Sequence, residues 1–241
     1  MKEKDLKFDR KKHVLYSKDV KKVIQKHLEY AYPTEQAMQI WEQVQLQYIK
    51  FLATLPFLGG KKNSQARGFY DSIALFAYYE AVPDKPSLEE FARMNDETFV
   101  PVFASLGKIV DMNWKWVQRV EHLIFKSIEK EGIQHAHEWP GNYSMQVEPF
   151  DKEIGIRYSF TKCPIADFAR EHGYVHLMPA LCNPDYPMME AAHGGLIREN
   201  TCARGGICDY WIVGDQSPYL KEHPRKTDEE GYWYNEKKRK Y

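Results

Sequence analysis

The first 162 residues contain no cysteine, and the four in the chain fall at positions 163, 182, 202 and 208. No CxxC spacing occurs, so a ribbon-type zinc site is not supported. No stretch approaches the roughly eighteen apolar residues needed to cross a bilayer. The charged opening MKEKDLKFDRKKH lacks the apolar run of a secretory signal behind it. Excess charge of one sign is missing too: Lys plus Arg equals Asp plus Glu at 34 each, which excludes an overall bias toward nucleic acid or membrane. A cytoplasmic location follows as the default, and in a reducing compartment four clustered thiols argue against a disulfide framework. Free thiols or a metal site remain.

What is present divides by period. Behind Ser17 as cap, Val20, Val23, Ile24, His27 and Leu28 recur at helical spacing. Thr34 is expected to cap a longer helix with Ala37, Met38, Trp41, Val44, Tyr48, Phe51 and Leu52 on one face, ending near Pro56. A third helix runs from about Ser64 to Ala81, and Ser87 with Glu90 forms a capping box for a short fourth. Asp111 to Lys130 reads as a fifth helix. The aromatic stripes in this half read as core. His135 and His137 stand before Pro140-Gly141-Asn142 and read as a surface loop.

Beyond Tyr143 the period becomes two. Tyr143–Phe150 and Ile154–Thr161 alternate across Asp151-Lys152-Glu153, which reads as a β-hairpin with Ile154, Ile156, Tyr158 and Phe160 on its buried face. Cys163 precedes Pro164, and Gly173 follows, the punctuation of a short helix. Cys163 is thus placed at a helix N-terminus, where free N–H groups and the helix dipole favour a thiolate. Cys182 lies at a turn, three residues before Asp185, and a thiol with a carboxylate there suits acid–base work or metal ligation. His176 and His193 read as structural. A second hairpin, Leu196–Cys202 and Ile207–Val213, turns at Ala203-Arg204-Gly205-Gly206 and brings Cys202 near Cys208.

The segments F-T-K-C-P, L-x-P-A-L-C-x-x-D, L-I-R-E-N-T-C-A-x-G-G and I-C-D-Y resemble the L-2-amino-thiazoline-4-carboxylic acid hydrolase family, over roughly Tyr158 to Trp211 and more weakly from Leu55. RENTCARGGICDYW is also similar to the closing hairpin of 4-vinyl-reductase-type domains. The first resemblance implies water attacking the amidine carbon of a cyclic isothiourea, opening of the C–S bond and formation of an N-carbamoyl amino acid. It implies Cys163, Cys182, Asp185 and Cys208 as reactive residues. It also implies Arg198 as the carboxylate anchor and Asn200, Gly205 and Gly206 as substrate-binding residues. Two mechanisms fit: Cys182 as nucleophile with Asp185 as its proton partner and no cofactor, which is preferred, or zinc held by Cys163, Cys182 and Cys208.

The expected architecture is α+β and 4-vinyl-reductase-like. A charged segment, 1–13, precedes a single domain, 14–215, with a helical half, 14–138, packed with a C-terminal antiparallel sheet and site half, 139–215; a polar tail, 216–241, follows. The expected partner is a small-molecule substrate, without nucleic acid or membrane, and with self-association left open. The competing expectations are a 4-vinyl-reductase-type binding or sensor domain with cysteine-bound zinc, and an enzyme for a different sulfur-containing substrate.

Overall fold

A computed structural model describes residues 7–236. The two chain ends, with the basic EKKRKY run except for Glu236, lie outside the described residues. The fold is α+β, and the chain divides into two compact units, residues 1–98 with 138–142 and residues 99–137 with 143–241.

The first unit is helical. After a short α1 (Arg10–His13), α2 (Lys18–Ala31), α3 (Thr34–Thr54) and α4 (Ala66–Ala81) pack on one another. Ser17 Oγ accepts from the Val20 N–H at 3.2 Å, so the cap of α2 stands as the sequence indicates. Thr34 is the first residue of α3 and caps nothing; Pro33 holds the N-cap position. Met38 is exposed while Ile40 is buried, which rotates the inner face of α3 from the expected one. Every residue of α4 from Phe69 to Tyr78 is buried, which explains its nearly unbroken apolar and aromatic sequence. α5 (Leu88–Leu106) carries the capping box, with Glu90 N–H donating to Ser87 Oγ and Ser87 N–H to Glu90 Oε2. It is a long helix rather than a short one, and continues through Pro101 into the second unit.

In the second unit, α6 (Lys115–Gln134) packs on the sheet. It starts four residues later than the pattern suggests, because Asp111 Oδ1 accepts from the Asn113 N–H at 2.8 Å and closes a turn first. Strands β1 (Ser144–Val147), β2 (Ile156–Lys162), β3 (Gly194–Ile197) and β4 (Cys208–Gly214) form an antiparallel sheet in the order β1-β2-β4-β3. Each expected hairpin supplies two strands, and the β2–β4 pairing joins them, with Phe160 opposite Cys208 and Tyr158 opposite Tyr210. One sheet face, with Ile156, Tyr158, Leu196 and Ile212, packs with Val117 and Phe125 of α6. Ile154 departs from the expected face: Gly155 turns the chain at φ +105° and sends it to the other side with Trp211 and Val213.

Three short helices cross from β2 to β3: α7 (Pro164–His172), α8 (Met178–Cys182) and α9 (Asp185–Glu190). Residues 216–236, expected as a polar tail, contain α10 (Pro218–Glu222) and a hairpin of β5 (Arg225–Thr227) and β6 (Trp233–Asn235). No helix among the described residues is long and apolar enough to cross a membrane.

Candidate active site

The ends of several elements of the second unit deliver their side chains to one neighbourhood. Cys163 caps α7 and is followed by Pro164 at its first position, with Gly173 at φ +77° closing the helix. Cys182 ends α8, Asp185 begins α9, Arg198 follows β3, and Cys208 and Tyr210 belong to β4.

Arg198 is the fixed point. Its side chain is 1 % exposed, against 29 % for Asp185. Nη1 donates to Asp185 Oδ2 at 2.6 Å, and Nη2 to the backbone carbonyl of Cys182 at 3.0 Å. Tyr210 OH donates to the same Asp185 oxygen at 2.6 Å. The guanidinium also lies 5.2 Å from the Tyr186 ring centre and 5.6 Å from that of Tyr210. Burial alone would lower the Arg198 pKa, but Tyr210, Asp185, Cys182 and Tyr186 outweigh it and hold the group charged. Asn235 of β6 secures the backbone at both sides: its Oδ1 accepts from the Arg198 N–H at 3.0 Å, and its own N–H donates to the Arg198 carbonyl at 2.7 Å.

Arg198 ties residues 182 and 185 together through its two terminal nitrogens, while its buried Nε has no hydrogen-bond partner among the described residues.

The thiols lie within electrostatic reach of one another: Cys182 responds to Arg198, Cys163, Asp185 and Cys202, and Cys208 to Cys182, Cys163 and Cys202. Cys163 and Cys182 are half-buried, while Cys202 and Cys208 are buried. Burial pushes the Cys163 thiol up to about 12, against the N–H groups of Ala166 and Ile165 that favour its thiolate. The helix N-terminus is therefore present as expected, and desolvation overrides it. Burial likewise pushes Cys182 well up, with Arg198 pulling the other way and Cys163 and Asp185 adding to the rise.

Cys202 and Cys208 titrate as a pair, since one S–H can donate to the other sulfur once that has ionised. This side-chain bond lowers Cys202 and raises Cys208, so the first proton leaves more easily and the second less. The Cys202 N–H also donates to Cys208 Sγ at 3.0 Å, and Cys202 Sγ lies 3.2 Å from the Phe160 carbonyl. Ionisation of the pair is eased, with the charge shared between its sulfurs.

The remaining expected residues shape a turn. The Asn200 N–H donates to Asp209 Oδ1 at 2.7 Å, and Asn200 Oδ1 accepts from the Thr201 N–H at 2.8 Å. Gly205 takes φ +80°, and a side chain at Gly206 would run into Asn200. His176 and His193 are exposed. Among the described residues no group of three or more His, Cys, Asp or Glu side chains is arranged to hold a metal ion.

Three contributors escaped the sequence reading. Tyr186 donates from its hydroxyl to Asn235 Oδ1 at 2.8 Å, and Tyr210 holds Asp185. Asn235 lies 37 residues beyond Arg198, without any motif to mark it.

Strand and helix ends bring thiols, a carboxylate and a buried guanidinium into one neighbourhood, which makes this cluster the candidate functional site. The class is narrowed by a family model described as L-2-amino-thiazoline-4-carboxylic acid hydrolase, which matches residues 71–212, more than half of the chain. The chain belongs to this family, whose name is that of a hydrolase. No curated protein and no solved structure gives a significant match, and the 4-vinyl-reductase likeness gains no support from them.

Proposed function

We propose that the protein hydrolyses a cyclic isothiourea of the 2-aminothiazoline-4-carboxylate type, with Cys182 as nucleophile and Asp185 as its proton partner. The observation that carries this reading is the Arg198 clamp, which holds the Cys182 carbonyl and Asp185 Oδ2 on one planar fork. Because Arg198 and Tyr210 both engage Oδ2, the other Asp185 oxygen is the one left to take a proton.

The Cys182 thiol is neutral at rest, so attack requires that its proton move first. Cys182 gives it to Asp185, and a bond forms from Sγ to the amidine carbon. The ring C–S bond breaks, and the departing sulfur takes the proton. Water then adds to the same carbon, the bond to Cys182 breaks, and the thiol is restored as the N-carbamoyl amino acid leaves. Substrate plus one water equals product, with no redox step.

The test is turnover of 2-aminothiazoline-4-carboxylate by the purified protein, followed by the free thiol released. Cys182→Ser is expected to abolish thiol release while leaving the circular dichroism spectrum and melting temperature intact, because serine keeps the shape and lacks an accessible anion. Full activity in that variant would make Cys182 structural and pass the role to the Cys202–Cys208 pair. No turnover by the intact protein would remove the hydrolase reading for this substrate.

A further inference from the structure

The helical unit holds a cavity of about 600 Å³, a size that takes a small organic ligand. It is bordered by α1, the end of α3, residues 55–60 and the start of α4, so one unit supplies all of it. Every residue that lines it falls between Lys7 and Tyr70, and the family match begins only at residue 71. The hydrolase family therefore does not account for this cavity.

Its walls are largely apolar. Leu15, Ile49, Leu52, Leu55 and Phe57 line it, and Phe57 stays 59 % exposed while Leu15, Leu52 and Leu55 are half-buried. Leaving this hydrocarbon in contact with water forfeits burial energy that an apolar ligand would restore.

The polar side chains of the lining present donors. Lys7 and Lys12 line the cavity, and their ammonium groups have no ion pair or hydrogen bond among the described residues. The Asp9 N–H donates to His13 Nδ1 at 2.9 Å, so that nitrogen carries no proton and the imidazole keeps its N–H on Nε2, as a donor. Burial and then Lys12 lower the His13 pKa, against Asp9, which holds the ring in this neutral form. Tyr70 is buried, and its hydroxyl oxygen accepts from the Gly60 N–H, which leaves the phenol proton to be donated. No acidic side chain among the described residues lines the cavity.

Donors at the edge of an apolar wall call for a ligand that is acceptor-only at one end and hydrocarbon at the other, and an ionised carboxylate is acceptor-only. We propose that this cavity binds a carboxylate with an apolar body, of the size of a medium-chain fatty acid. Its head group meets the donors of the Lys7–His13 segment, and its body lies along Leu52, Leu55 and Phe57.

The test is calorimetric titration of the full chain with decanoate, below the concentration at which it forms micelles, with decan-1-ol as the uncharged counterpart and octanoate as the shorter acid. Decanoate should bind at one site per chain. Octanoate should bind roughly tenfold more weakly, since each buried methylene is worth up to about fourfold in affinity. Decan-1-ol should bind more weakly than decanoate, because it offers the cations no charge. Lys7→Gln with Lys12→Gln should weaken decanoate binding roughly fivefold or more, and Phe57→Ser, at an exposed position that folding does not depend on, should weaken it by a similar factor. Circular dichroism confirms that the variants are folded. No binding of decanoate, equal affinity for decan-1-ol, or unchanged affinity in the folded variants overturns the site. None of these outcomes depends on whether the protein turns over an aminothiazoline.

Discussion

Arg198 carries a positive charge into a place that solvent does not reach, where its fork finds two acceptors at once and two aromatic rings flank it. A lysine there keeps the charge but presents one compact head, which cannot span Asp185 Oδ2 and the Cys182 carbonyl together. Arg198→Lys is therefore expected to lower stability by about 2–3 kcal/mol, the range for leaving a buried charge or acceptor incompletely paired, and to lower kcat more than it raises KM. Urea unfolding and steady-state kinetics check this. A rise in KM alone, with stability unchanged, would favour the substrate-anchor role that the family resemblance implies. The sequence identifies this arginine but not its task, because a guanidinium that binds ligand and one that braces a loop look alike in one dimension. The thiols show the same limit: the Cys163 helix cap is legible from Cys-Pro and Gly173, whereas the desolvation that overrides it depends on what surrounds the sulfur.

Among the elements, those with a local chemical cause are the ones the sequence reveals. Ser17, the Ser87–Glu90 box and the Pro164–Gly173 pair act through neighbours three or four residues away, so a pattern suffices. Both main hairpins are legible for the same reason. The start of α6 is displaced because Asp111 spends its side chain on a turn, and a string cannot show which partner an aspartate takes. The hairpin of β5 and β6 is harder still: three-residue strands leave no room for alternation. Yet this hairpin delivers Asn235, whose side chain accepts from Arg198 N–H and Tyr186 OH and donates to the His223 carbonyl at 2.7 Å. Asn235→Ala takes the side-chain partner from the Arg198 N–H and the His223 carbonyl, while the Tyr186 hydroxyl keeps the Trp233 carbonyl at 3.3 Å, and is expected to destabilise by about 2–3 kcal/mol. Thiol-release activity should fall as the Arg198 segment loosens. Denaturant unfolding tests the first effect. Unchanged stability would mean that the hairpin merely covers the site.

Over the whole molecule, the groups of the site lie close in sequence where the family motifs are and far apart where they are not. Cys163, Cys182, Asp185 and Cys208 fall within one stretch of chain and were legible together. Asn235 joins them only through folding. One property belongs to the protein as a whole: it holds many weak acids in neutral form. Burial pushes Cys163 to about 12 and raises Cys182; Cys208 is raised by its bond to Cys202 and then by burial. Burial also raises Tyr48, Tyr143, Tyr158 and Tyr210 well above the usual value and Tyr78 to about 12. In the unfolded chain, thiols ionise near pH 8.5 and phenols near pH 10. Above those values the folded protein holds more protons than the unfolded one, so stability must fall as pH rises. The contribution is intact below about pH 8.5 and is lost progressively toward pH 12 and beyond. Cys202, lowered to about 7, acts in the opposite sense, adding stability between about pH 7 and 8.5 and changing nothing further above that. The urea midpoint should therefore rise slightly between pH 7 and 8 and fall steeply above about pH 9. Cys163→Ala should soften the part of the fall that begins near pH 8.5, and the tyrosine part above pH 10 should remain. A midpoint that holds steady to pH 11, or an identical onset in the variant, would show that these groups are not desolvated in the folded protein.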